Sequence, residues 1–137
     1  MNFIRGGELF SNLRDTGRYS EKRAKFYCMN MALAIAHLHS KKIVYRDLKA
    51  ENVLMDDQGY LCLTDFGLAK LLEGDEVAKT FAGTPDYMAP EIIINKGHSF
   101  PVDWWSLGIL TYEMIIGFTP FFTKKGQHAL FQMIKEK

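Results

Sequence analysis

Little in this chain is set up to act at long range. Its 137 residues hold 17 Lys and Arg against 16 Asp and Glu, a formal net charge of +1. There is no basic field to draw nucleic acid or an anionic membrane, and no like-charged run forms a tail. Apolar runs stop short of the ~20 residues that a membrane-spanning helix needs, and the N-terminus lacks the basic and apolar regions of a signal peptide. A cytosolic location, with the nucleus also open, is the default expectation. Cysteine is scarce: Cys28 and Cys62 lie in apolar segments in no C-x-x-C spacing, which reads as two buried thiols in a reducing compartment. Nor is there a phosphate-cradling glycine loop, because Gly6-Gly7 is a turn before a helix. What remains, 47% hydrophobic and 24% charged residues, is the composition of one soluble globular domain able to bury a core.

The densest chemistry lies between Tyr45 and Gly67. Two short apolar runs, Val53-Leu54-Met55 and Tyr60-Leu61-Cys62-Leu63, flank the turn-forming Asp56-Asp57-Gln58-Gly59, a pattern that predicts a tight antiparallel hairpin. Asn52 precedes the first strand and Asp65 follows the second, so pairing at the ~5 Å strand spacing sets an amide oxygen beside a carboxylate. Hard oxygen ligands of that kind suit Mg²⁺, which takes few protein ligands and keeps phosphate oxygens and water for its other positions. Asp47 and Lys49, on the loop entering the hairpin, add a base and a positive charge, and together these form a phosphoryl-transfer layout.

These residues, Y-R-D-L-K-A-E-N from Tyr45 and D-F-G from Asp65, resemble the catalytic loop and metal-binding loop of eukaryotic protein kinases. Tyr45 in place of the commoner His is similar to the AGC group, as are Phe81-Ala82-Gly83-Thr84-Pro85-Asp86-Tyr87-Met88-Ala89-Pro90-Glu91 and Asp103-Trp104-Trp105. Ala50 departs from the group's usual Pro, Ala82 from its Cys and Asp86 from its Glu. The resemblance covers residues 1–137 and implies an α+β, mainly α-helical fold: a kinase-like C-terminal lobe with a short β-hairpin at the two loops. It implies a partial domain over residues 1–137, opening at the hinge and ending at about the helix that follows the central apolar helix. The glycine-rich lobe, its V-A-I-K lysine and the last helices, which supply an arginine partner for the residue matching Glu91, are expected to be absent.

From the same resemblance come ATP and Mg²⁺ as cofactors, Asp47 and Lys49 as catalytic residues, and Asn52 and Asp65 as metal ligands. Glu8, Lys49, Glu51, Asn52, Leu54 and Asp65 are implied for nucleotide and metal binding, with Phe66 packing to keep Asp65 turned inward. Glu8, Glu51 and Glu113 match positions that hold substrate arginines, which implies protein substrates with basic residues near Ser or Thr. An internal Arg14–Glu113 pair is the alternative. Thr80 matches the activation-loop phosphorylation site of an upstream kinase, with Arg46 and Lys70 as phosphate receptors; an ordinary loop hydroxyl is the alternative. Asp103 is implied as a buried anchor accepting backbone N–H groups of the catalytic loop. A catalytically silent, kinase-like binding module is the other function these residues allow, and the chain by itself is expected to be inactive.

Along the chain, a short amphipathic helix is predicted to stop at Gly17 and a long one to run from the Ser20 cap to about Ser40 with Tyr27, Met31, Ala34, Ile35 and Leu38 inward. His37 and His39, two apart, face differently and have no nearby carboxylate to complete a metal site. Residues 68–84 read as an activation segment too polar for a core element. An almost wholly apolar helix to about Ile116 belongs at the domain centre, and a final amphipathic helix begins at about Lys124.

Overall fold

The computed structural model describes residues 6–136; the expectations placed on residues 1–5 of the hinge and on Lys137 lie outside them. Helix α1 is Leu9–Thr16, closed by Gly17 at φ +79°. Ser20 accepts the Arg23 N–H and caps α2, Glu21–Ser40, which buries Tyr27, Met31 and Ile35 while Ala34 and Leu38 are half-covered. Strand β1 is Ile43–Val44, β2 Val53–Met55, β3 Leu61–Leu63 and β4 Lys70–Leu71. Helices α3, Pro90–Ile94, α4, Pro101–Ile116, and α5, Gln127–Lys135, complete the fold.

The hairpin forms from β2 and β3 with Val53 opposite Leu63 and Met55 opposite Leu61. Its turn is tied by Asp56, whose Oδ1 accepts the Gln58 and Tyr60 N–H groups at 2.9 and 2.8 Å, an Asx turn of the kind that short acidic side chains favour. Gly59 stands at φ +86°, where a Cβ would be strained. A second pair, β1 with β4, has no counterpart in the sequence expectations. It ties the segment entering the catalytic loop to the start of the activation segment.

Two apolar clusters result. The larger joins α1, α2, the catalytic loop, the hairpin and α4, around Met31, Ile35, Tyr45, Leu48, Leu110 and Met114. The smaller collects Val44, Leu72, Ala78, Met88, Ile92 and Val102 beneath the activation segment. That segment is therefore not wholly polar, since Leu72 and Ala78 are buried anchors. Helix α4 is not buried all round either: Trp104, Gly108 and Tyr112 lie on an exposed stripe. Hydropathy registers how apolar a helix is, not how many sides find partners. Helix α5 starts three residues later than expected, after Gly126 at φ +89°, and both cysteines are half-buried rather than enclosed. Among the described residues no helix is long and apolar enough to cross a membrane.

Candidate active site

Asp47 is the centre of a bonded net. Its Oδ2 accepts the Asn52 side-chain amide at 2.9 Å and lies 3.2 Å from Lys49 Nζ, while its Oδ1 accepts the Thr84 hydroxyl at 2.9 Å. Lys49 Nζ in turn donates to Thr84 Oγ1 at 2.9 Å. Asp47 and Asn52 are 8% and 7% exposed, so water screens these contacts weakly and they are stronger than surface ones. Thr84, in the loop before the Pro85–Tyr87 turn, was not among the sequence candidates. A hydroxyl next to a proline carries no local signal of a partner 37 residues away.

The hairpin brings Asn52 and Asp65 to neighbouring ends. The Asn52 carbonyl accepts both the N–H and the hydroxyl of Thr64, at 2.9 and 3.0 Å, and Asp65 follows directly. The Tyr45 phenol, fully buried, donates to the Thr64 carbonyl. Burial drives its pKa far up, Asp47, Asp65 and Asp103 push the same way, and Asn52 opposes them, so these groups share one neighbourhood. Asp65 sits at φ +53° and is exposed, its Oδ1 accepting the Gly67 N–H at 3.0 Å. Phe66 packs edge-on against Tyr45 with centroids 5.4 Å apart, yet is half exposed. The expectation that Phe66 turns Asp65 inward is corrected: the left-handed backbone and the Gly67 amide hold that carboxylate at the rim.

The donor set fits Mg²⁺. Both Asn52 amide contacts go to Asp47, one to the carboxylate and one to the backbone carbonyl at 3.0 Å, which leaves the amide oxygen for a cation. Asp65 adds a carboxylate. No group of three His, Cys, Asp or Glu side chains forms a metal cage among the described residues, and Mg²⁺ held with phosphates needs none. Of the other nucleotide candidates, Glu8 and Leu54 form a backbone bridge at the edge of β2, bringing hinge and hairpin together, while Glu51 is exposed in the Ala50–Asn52 turn.

The catalytic loop hangs from α4. Asp103, 0% exposed, accepts the Tyr45 N–H at 2.9 Å, the Arg46 N–H at 2.8 Å and His39 Nε2 at 2.8 Å. So His39 does have a carboxylate partner, 64 residues away in sequence, although no metal site follows from one imidazole and one carboxylate. Arg46 stands at φ +71°, and its Nε donates to the Leu68 carbonyl at 2.7 Å. Lys70 pairs with Glu76 at 2.6 Å, and Thr80 is exposed. Glu91 opens α3.

Beside the net, a cavity of about 280 Å³ is lined by Glu51, Asp86 and Glu113 together with Tyr87, Phe118 and Phe122. Tyr87 donates its hydroxyl to Glu113. Burial raises the Glu113 pKa, the Tyr87 hydrogen bond lowers it, and Glu51 and Asp86 raise it further. Arg14, the internal alternative for Glu113, pairs instead with Asp15 at 3.3 Å.

Comparison with known proteins agrees with this geometry. A family model described as protein kinase domain matches residues 1–137. The chain is 51% identical over 124 residues to protein kinase 2 of Dictyostelium discoideum, covering 90% of this chain and 26% of that protein. It is 52% identical over 125 residues to serine/threonine-protein kinase sgk-1 of Caenorhabditis elegans, covering 90% and 27%. To the cAMP-dependent protein kinase catalytic subunit PRKX of Homo sapiens it is 55% identical over 122 residues, covering 89% and 34%. The chain thus spans a quarter to a third of the length of these relatives.

Proposed function

From the premise that this chain belongs to the protein kinase domain family, in its AGC-type serine/threonine branch, we propose that the protein transfers the γ-phosphoryl group of ATP to Ser or Thr hydroxyls of proteins. The observation that carries the reading is the Asp47 carboxylate, held by Asn52, Lys49 and Thr84 at 2.9–3.2 Å. Fixed in this way, Asp47 orients a substrate hydroxyl and accepts its proton as the oxygen attacks. Lys49, tethered through Thr84, sets a positive charge beside the transferred group, and Asn52 and Asp65 supply the oxygen ligands for Mg²⁺. Bound with ATP, that cation screens the phosphate charge. The protein's contribution is position and electrostatics.

Asp47→Asn in the intact protein keeps the shape and one acceptor oxygen but removes the base, so transfer of labelled phosphate falls by about 10²–10⁴-fold. A variant retaining transfer within tenfold of wild type refutes the assignment of Asp47, and an intact wild type that transfers nothing favours the silent binding module. The 137 residues expressed alone, which contain no glycine-rich phosphate loop, give negligible transfer. Robust transfer from them, lost in Asp47→Asn, would overturn that statement.

Substrates carry arginine near the target hydroxyl. Three carboxylates around one cavity suit a guanidinium, whose planar fork pairs two oxygens at once, and aromatic walls suit its face. Glu51→Gln with Glu113→Gln abolishes the preference for arginine-bearing peptides; an unchanged preference rules the pocket out. Thr80 is the regulatory phosphosite, served by Arg46 and Lys70, and an upstream kinase acts on it. Phosphorylation protects residues 68–84 from protease; equal cleavage of both forms refutes this.

A further inference from the structure

Three buried side-chain nitrogens in the described residues have no hydrogen-bond partner, Arg46 Nη1, His98 Nε2 and Trp105 Nε1, and the first two belong to residues beside the activation segment. His98 is 5% exposed, and buried polar atoms without partners are rare enough to mark a place where an acceptor belongs. The backbone of His98 is fastened in both directions to Ala78, at 2.8 and 2.9 Å. Ala78 lies two residues before Thr80. From the catalytic loop Arg46 faces the imidazole, from β4 Lys70, from α3 Glu91 and from α4 Asp103, while exposed Lys79 and Lys96 flank the bridge. Asp103 is already engaged by Tyr45, Arg46 and His39 and Lys70 by Glu76.

We propose that His98 is a third basic partner, with Arg46 and Lys70, of a phosphate on Thr80, and that it makes the seating of the phosphorylated segment depend on pH. This rests on the reading of Thr80 as the phosphosite. Without phosphate, burial and then the Arg46 charge hold the imidazole below its ordinary range, Lys70 adds to them, and Glu91 and Asp103 oppose. A phosphate carrying −1.5 to −2 charge reverses that balance, so proton and phosphate bind cooperatively and each strengthens the other by the same factor. The docked segment is therefore tighter at lower pH, down to about pH 6, where the phosphate itself gains a proton.

The test uses the intact protein carrying phosphothreonine at position 80. The His98 ring resonance is followed by NMR against pH in phosphorylated and unphosphorylated wild type, and the pKa is expected to rise on phosphorylation. Phosphatase release from the protein is then compared with release from a free phosphopeptide spanning Thr80. The protein-to-peptide rate ratio is expected to climb between pH 6.5 and 8.5 by about tenfold for each unit of that rise, and to stay flat in His98→Gln. An unshifted His98 resonance, or the same climb in His98→Gln, overturns the proposal. A phosphate released at the peptide rate at every pH, in wild type and Arg46→Gln alike, sinks the Thr80 reading itself. Slow release that is flat with pH sinks only the part assigned to His98.

Discussion

Replacing Asp103 by alanine should cost the domain more than any exposed charge could. The carboxylate is fully enclosed and accepts two backbone N–H groups and one imidazole nitrogen at 2.8–2.9 Å. Hydrogen bonds to a charged group contribute about 1.5–3 kcal/mol each, and a donor left buried without an acceptor loses ~1–3 kcal/mol. The two hydrogen bonds from backbone donors to the charged carboxylate therefore contribute about 3–6 kcal/mol. Against this, Arg46 is a non-glycine residue at φ +71°, and releasing it returns roughly 1–2 kcal/mol of left-handed strain. The net loss is about 1–5 kcal/mol, a large part of a stability that is typically ~5–15 kcal/mol. Asp103→Asn keeps the shape but presents one oxygen where two accept, so it loses about half as much. The assay is denaturant unfolding of the intact protein with amide exchange at Tyr45 and Arg46. A loss under ~1 kcal/mol for Asp103→Ala, with both amides still protected, would show that the catalytic loop does not hang from α4.

Thr84→Ala removes one bond to Asp47 and one from Lys49, so kcat falls by about ten- to a hundredfold on the scale of one charge-assisted hydrogen bond; Thr84→Ser recovers most of it, as steady-state kinetics will read. At Gly117, with φ +99°, a Cβ would lie 2.6 Å from the Gly17 carbonyl oxygen, whereas at Gly17 it would meet open space. Gly117→Ala should therefore lose about 2–4 kcal/mol and Gly17→Ala roughly 1, measured by the same unfolding. Glu113 has a folded pKa above its unfolded value, chiefly through burial, so its contribution is fully present below the unfolded carboxylate range and is lost as pH rises through the folded value. Glu113→Gln flattens that decline in denaturation midpoints taken from pH 4 to 7.5, while binding of an arginine peptide to wild type strengthens over the same rise.

What could be read ahead was local. Asp56 to Gly59 between two apolar runs specified the hairpin, and Ser20 and Gly17 marked helix ends, because caps and turns are decided within a few residues. The two-residue strands β1 and β4 were missed, as two residues hold no periodicity. His39 to Asp103 and Thr84 to Asp47 were missed for a related reason, since contacts across 64 and 37 residues leave no mark on the adjoining sequence. The hairpin pattern supplied Asp47, Lys49, Asn52 and Asp65 and resemblance to a family the remaining candidates, and the chain folds Asp47, Lys49 and Asn52 into one net while leaving Asp65 at its rim and Thr80 exposed. The exposed stripe of α4 shows the limit of composition, which cannot say which face of an apolar helix lacks a neighbour.

The polar positions of that helix explain why it holds the site. Asp103, Ser106 and Glu113 are spaced i, i+3 and i+10, and at 100° per residue they fall within about 80° of one another, while Trp104, Gly108 and Tyr112 occupy the far side. Asp103 grips the loop that carries Asp47. Ser106 donates to the Tyr87 carbonyl at 2.9 Å, and Glu113 accepts the Tyr87 hydroxyl, so the same face grips the turn that follows Thr84. Asp47 and Thr84, 37 residues apart in sequence, meet because one helix holds the backbone just before the first, at Tyr45 and Arg46, and just after the second, at Tyr87. A polar residue in an apolar helix costs stability unless it is bonded, and here these three are each bonded to a segment of the candidate site. The geometry of the net is thus set from the core outward, and a substitution on this face of α4 disturbs Asp47 without touching it.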